Sequence, residues 1–173
     1  MPVSEAVRAA RDALVREHME SENRHEFDVT METFHHPRYE IVPTGDVFDG
    51  PEEVQRYFDE SRTAFPDQRN KLVALYHSDD AVIVEFDLLG THNGSFRGLP
   101  PTGKAFECRC LSIFVFEGNT DRLVCERAYF DSATILRQLG IAHDPLTLRG
   151  RVATLLNHPV TIGTAFARSA LRR

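Results

Sequence analysis

From Lys71 onward the apolar residues of this chain recur at every second position, whereas before Pro66 they recur every third or fourth. That change of period admits few folds: helices come first, then long strands. Ala81 to Leu89, Ala105 to Phe116 and Leu123 to Phe130 are the clearest strands, and Lys71 to His77 precedes them. Ser78-Asp79-Asp80 and Gly118-Asn119-Thr120-Asp121 supply turn chemistry between them. No helical crossover separates the four, so the sheet is expected to be antiparallel and the domain α+β. Three earlier helical segments must then cover one face of it. They run from Ser4 to about Arg24, from Asp28 to Phe34, and onward from Gly50-Pro51-Glu52-Glu53, where proline and two acids suit a helix start. Tyr39 to Val42 reads as a short extra strand closed by Pro43-Thr44-Gly45.

The 173 residues suffice for one domain with a core and a pocket. A net charge of −6 argues against nucleic acid as partner, because phosphate binding needs a basic face. No apolar run approaches a membrane span, so no membrane role is expected. Cys108, Cys110 and Cys125 are odd in number and lack zinc spacing, which reads as reduced core residues of a cytoplasmic protein. The charge is divided unevenly. Residues 143–173 carry five arginines and one aspartate, a net of +4, which leaves −10 for residues 1–140. We therefore expect a body at 1–140 and a helical extension at 141–173, packed on its own body or on a partner subunit.

Chemistry-bearing residues are few. Asp131 stands where the last strand passes into the helical stretch 132–139, just after Tyr129. If the last hairpin turns at Asn119-Thr120, Cys108 lies opposite Asp131, and Arg127, Tyr129 and Asp131 share a face with Phe114. A slip by one residue puts Arg109 beside Asp131 and moves half the set to the other face. In the first register Asp131 is desolvated and its pKa is raised, which suits an acid or base. In either register Asp is also a preferred helix cap. The first helix carries a stripe of Val7, Leu14 and His18 that turns polar at Glu22 and His25. A stripe of this kind fits a helix passing over a cavity. His18, Glu22 and His25 also have the spacing of metal ligands on one face, although the reading adopted here has no metal. Phe58 and Phe114 are candidate walls.

Two segments carry a resemblance to a known family. GTHNGSFRGLPPTGKAFE (residues 90–107) and LVCERAYFDSATILRQLG (residues 123–140) resemble the SnoaL-like branch of the nuclear-transport-factor-2-like superfamily. That superfamily also holds ketosteroid isomerase, scytalone dehydratase and limonene epoxide hydrolase. The order of elements matches over about residues 4 to 140, and the tail lies outside. The resemblance implies a curved antiparallel sheet forming a cone around a pocket, N-terminal helices closing it, and a homodimer through the sheets. SnoaL-like cyclases close a ring by intramolecular aldol condensation without metal or cofactor. They use an acid near the end of the last long strand, which here is Asp131, with His92 of the GTH motif as the next candidate. Tyr129, His18, Glu22, Phe58, Phe114 and Arg127 would bind substrate. The expected function is acid/base chemistry on a small hydrophobic carbonyl compound by an aldol cyclase, isomerase or dehydratase, with no cofactor. The alternative is a non-catalytic ligand-binding or assembly module of the same fold.

Overall fold

The computed structural model describes residues 3–171. Its elements are α1 (Glu5–Asn23), α2 (Phe27–Glu32), β1 (Arg38–Ile41), β2 (Asp46–Asp49), α3 (Pro51–Ala64), β3 (Arg69–His77), β4 (Ala81–Thr91), β5 (Ala105–Phe116), β6 (Leu123–Phe130), α4 (Ser132–Gln138), α5 (Leu148–Asn157) and α6 (Pro159–Ala170). One six-stranded sheet takes the order β2-β1-β6-β5-β4-β3. The fold is the expected α+β cone: a curved, unclosed sheet with N-terminal helices and a helical C-terminal part.

One junction departs from an all-antiparallel sheet. β1 runs parallel to β6, with Tyr39 beside Glu126 and Ile41 beside Ala128. The reason is local: Pro43-Thr44-Gly45 folds β1 and β2 into a hairpin, with Gly45 at φ 75°, and β1 then fills the free edge of β6. The four long strands are antiparallel throughout. Irregularities between Leu72 and Ala74 on β3 and between Val115 and Phe116 on β5 bend the sheet.

The concave face carries the apolar half of each alternation: Val82, Val84 and Phe86 from β4, and Phe106, Cys108, Cys110 and Phe114 from β5, all buried. Each fully buried Phe contributes on the order of 2 kcal/mol. α1 covers β3 and β4, α3 covers β1 and β2, and α2 bridges α1 and α3. α1 begins at Ser4, whose hydroxyl accepts from the Val7 amide at 3.2 Å. Its buried residues include Arg11, Val15, His18, Met19 and Glu22, so the expected stripe holds at His18 and Glu22, while Arg11 and Val15 are buried in place of Val7 and Leu14. Arg11 is only 1% exposed because its guanidinium donates to the carbonyls of Thr120, Asp79 and Gly118 at 2.8, 3.1 and 2.6 Å. It thereby clasps two strand-joining turns.

α5 and α6 pack against each other. Leu148, Leu156, Val160 and Phe166 on them are 66–81% exposed. No helix among the described residues is long and apolar enough to cross a membrane.

Candidate active site

The hairpin of β5 and β6 settles which side chains face the interior. Cys110 pairs with Phe130, Leu111 with Tyr129, Ser112 with Ala128, Ile113 with Arg127 and Phe114 with Glu126. This is the slipped register, the one that places Arg109 beside Asp131. It arises because the ladder shifts between Val115 and Phe116 near the turn, where Val115 meets Cys125 but Phe116 meets Leu123. Glu126, Ala128 and Phe130 therefore point into the cone, and Arg127, Tyr129 and Asp131 point away from it.

The expectation of an inward Asp131 is corrected accordingly. Its carboxylate accepts from the Ala133 amide at 3.0 Å and from the Thr134 hydroxyl, capping α4. Arg137 approaches it at 3.4 Å. Thr134 above all, with Ala133 and Arg137, holds the Asp131 pKa below the ordinary carboxylate value, which is the wrong direction for a base at neutral pH. Tyr129 and Arg127 are corrected with it. Tyr129 lies 39% exposed on the convex face, and Arg127 pairs there with Glu40 at 2.6 Å.

The concave side holds two joined chambers. The outer one, about 350 Å³, is walled by Phe65, Phe106, Leu136 and Leu139 and includes His92. The inner one, about 40 Å³, is lined by His18, Glu22, Tyr39, Asn70, Ser112 and Glu126. Tyr57, Gln68, Leu88 and Phe130 line both. Phe58 and Phe114, each 1% exposed, stand behind the inner wall: Phe58 stacks on Phe27, and Phe114 meets the His18 ring edge-on at 5.0 Å.

His18 and His92 occupy opposite ends of this interior. Phe114, the partner of Glu126, pairs on its other side with Val82 near the start of β4, and His92 follows the end of β4. His92 is 0% exposed. Its Nδ1 takes the Thr102 amide at 3.3 Å, so its hydrogen sits on Nε2, which is buried and without a partner. The loop behind it is held because the Asn93 and Gly94 amides both donate to Ala64 at 3.0 and 3.1 Å. A Cβ on Gly94 would come within 1.9 Å of the Thr63 carbonyl oxygen, so only glycine fits.

At the inner end the hydrogens can be followed atom by atom. Thr33 gives its hydroxyl hydrogen to the Thr30 carbonyl at 2.6 Å, so its oxygen can only accept from His18 Nδ1, 2.8 Å away. Nδ1 therefore carries a hydrogen. His18 Nε2 faces Tyr39 Oη at 2.8 Å, Glu126 Oε2 at 3.1 Å and Glu22 Oε1 at 3.5 Å. Tyr39 donates to Glu22 Oε1 at 2.9 Å, so toward His18 it can only accept. A lone pair on Nε2 would then face acceptors alone, and a second proton resolves the conflict. Burial opposes charge on His18, yet Glu126 and Glu22 outweigh it and push its pKa up to about 9. Burial would likewise raise Glu22, but His18, Arg62 and Tyr39 hold it below its usual value. Asn70 donates to Glu22 Oε2 at 2.6 Å, which leaves Glu22 fully engaged. Glu126 Oε2 has only the imidazolium before it and accepts no well-aligned hydrogen bond.

The donor atoms of His18, Glu22 and Glu126 lie within 4.8 Å of one another, a spacing that a divalent cation could span. Tyr39 Oη sits 2.8 and 2.9 Å from two of them and links them by hydrogen bonds. His25, the third residue of the spacing noted on the first helix, stacks on Phe27 and is not part of this cluster.

Glu126, Tyr39, Tyr57, Gln68, Asn70 and Ser112 were not singled out by sequence. A signal for Glu126 was present: polar Arg127, Tyr129 and Asp131 alternate with apolar Ala128 and Phe130, and that alternation places Asp131 outside and Glu126 inside.

The chain's relatives agree with this architecture. The family model of the SnoaL-like polyketide cyclases matches residues 12–139. No curated protein matches. Among solved structures, a provisionally assigned SnoaL-like polyketide cyclase from Jannaschia sp. CCS1 aligns with a TM-score of 0.71 at 18% identity, covering 83% of this chain and 99% of that one. AclR, a provisionally assigned hydroxylase from Streptomyces galilaeus, gives 0.66 at 20% identity over 79% and 88%. A phenazine biosynthesis-related protein from Pseudomonas aeruginosa gives 0.64 at 20% over 84% and 94%. These identities speak for the fold, and the family model for descent: the chain belongs to the SnoaL-like polyketide cyclase family.

Proposed function

We propose that the protein is a cofactor-free enzyme of cyclase type, an aldol cyclase, isomerase or dehydratase, acting on a small hydrophobic carbonyl compound. Glu126 and His18 form its proton-handling pair. The observation that carries the reading is the buried imidazolium of His18 set 3.1 Å from the Glu126 carboxylate at the closed end of an apolar cavity. In this scheme the apolar body of the substrate fills the outer chamber. Glu126 takes a proton from the carbon next to a carbonyl, and the electron pair moves onto the carbonyl oxygen. His18 stands 3.1 Å from the Glu126 carboxylate, and the pair returns the proton to the product. Proton transfer of this kind supplies about 10²–10⁴-fold in rate.

The functional unit in this proposal is a homodimer. Its support is the uncovered groove on the convex sheet face, where Val42, Tyr76, Leu111 and Tyr129 are exposed. The competing reading, a ligand-binding module, draws on the full engagement of Asp131 as a helix cap.

Deuterium exchange separates the two readings. 2-Tetralone, an apolar bicyclic ketone, is incubated with the protein in D2O and its α-protons are followed by NMR. We expect the wild type to accelerate exchange, and Glu126→Gln to lose about 100-fold or more while keeping the wild-type circular dichroism. Acceleration that survives in Glu126→Gln would remove Glu126 as the base, and none in the wild type would leave the binding-module reading standing.

A further inference from the structure

The acid/base reading, on which this inference rests, leaves one charge unaccounted for. Moving a proton from carbon to Glu126 leaves an anionic oxygen on the substrate inside a small, enclosed chamber. Such an oxygen needs donors that are in place before it forms. The proton-handling cluster has little to spare: Tyr39 spends its hydrogen and Asn70 one of its two amide hydrogens on Glu22, and His18 spends its two on Thr33 and on the Tyr39–Glu126 side.

Three other polar side chains line the same inner chamber: Tyr57, Gln68 and Ser112. Ser112 is 1% exposed and its hydroxyl has no partner. Gln68 is 9% exposed. Among the described residues neither its carboxamide nor the Tyr57 hydroxyl makes a hydrogen bond to protein. Burial and the nearby Glu22 and Glu126 raise the Tyr57 pKa, so its hydroxyl keeps its hydrogen. Buried polar groups are almost always paired. The buried, unpartnered Ser112 hydroxyl, beside the Tyr57 and Gln68 side chains on the same chamber wall, therefore marks a place where a ligand completes the bonding. The volume agrees: about 40 Å³ admits one oxygen-sized group and little more. Tyr57 and Gln68 also border the outer chamber, so the group they receive stays attached to a body held there.

We infer that Tyr57, Gln68 and Ser112 form an oxygen-binding subsite that receives the carbonyl oxygen of the substrate, and its enolate form, while the apolar remainder occupies the outer chamber. The ligand class is a flat, largely apolar molecule with one oxygen at its leading edge. Ligands without that oxygen fit the outer chamber alone.

Two probes of equal shape test this: 2-naphthol, whose oxygen mimics the enolate edge, and naphthalene, which lacks it. Affinities of the full chain for both are measured by fluorescence. The wild type should prefer 2-naphthol. Tyr57→Phe and Ser112→Ala, each removing only a hydroxyl, and Gln68→Leu should each weaken 2-naphthol about 10-fold and leave naphthalene within about 2-fold. The subsite is overturned if the wild type shows no preference or binds neither probe, if the variants leave 2-naphthol unchanged, or if both probes weaken together. Loss of 2-tetralone exchange in Glu126→Gln is read separately. If that loss fails to appear while the naphthol preference holds, the acid/base reading falls and the subsite stands as a binding site.

Discussion

Glu126 and Asp131 are five positions apart, and the sheet sends their side chains to opposite sides. Glu126 is 7% exposed beside His18; Asp131 is bonded to the first turn of α4. A cap contributes about 1 kcal/mol. Asp131→Ala should therefore lower the melting temperature by about 2–4 °C in a chain of this size, a shift read by differential scanning calorimetry. His18 makes a different statement, about pH. Its folded pKa of about 9 lies above the ordinary 6.5, so the native state holds a proton that the unfolded chain releases. The resulting stability is fully present below pH 6.5 and is lost as pH rises through about 9, a change of about 3 kcal/mol. Glu22 acts from the other side, because its lowered pKa contributes stability that disappears as pH falls below 4.5. Urea unfolding at pH 6 and pH 9.5 should show the alkaline decline, and His18→Leu should flatten it.

Elements were more legible than their pairing. The period change at Lys71, the Gly50-Pro51 helix start and the Gly118–Asp121 turn are local features, and each sits where local chemistry puts it. Register is a long-range property. The irregularity next to Val115 inverts the inward face of β6, and no turn residue announces it. Tyr39 was legible as part of a strand, but its place against Glu126 depends on a parallel contact made across 87 residues of chain. Arg11 was illegible for a similar reason, since its three carbonyl partners lie in distant turns. Without that guanidinium three buried acceptors lose their donor. Arg11→Met should therefore cost on the order of 3 kcal/mol, measured as a shift in urea midpoint. Hydrogen exchange should quicken first at the turns around Asp79 and Gly118.

For the whole molecule, family resemblance made the cone legible and misplaced its acid. The motif that contains Asp131 matches in sequence, but here the carboxylate at that position caps the start of α4, and Glu126 supplies an interior acid. The convex face bears on assembly. Leu111 and Tyr129 pair directly across β5 and β6 and are 43% and 39% exposed. In the proposed dimer Leu111→Glu should convert the protein to monomer in analytical ultracentrifugation without lowering its melting temperature by more than a few degrees. A wild type already monomeric at micromolar concentration would contradict that assembly. The central claim, that the working carboxylate is the one inside the cone, is tested most directly by comparing two single variants in the 2-tetralone exchange assay. Glu126→Gln should lose about 100-fold or more in rate, and Asp131→Asn should stay within about 3-fold of wild type. An Asp131→Asn protein that folds but has lost exchange, beside an active Glu126→Gln, would contradict it.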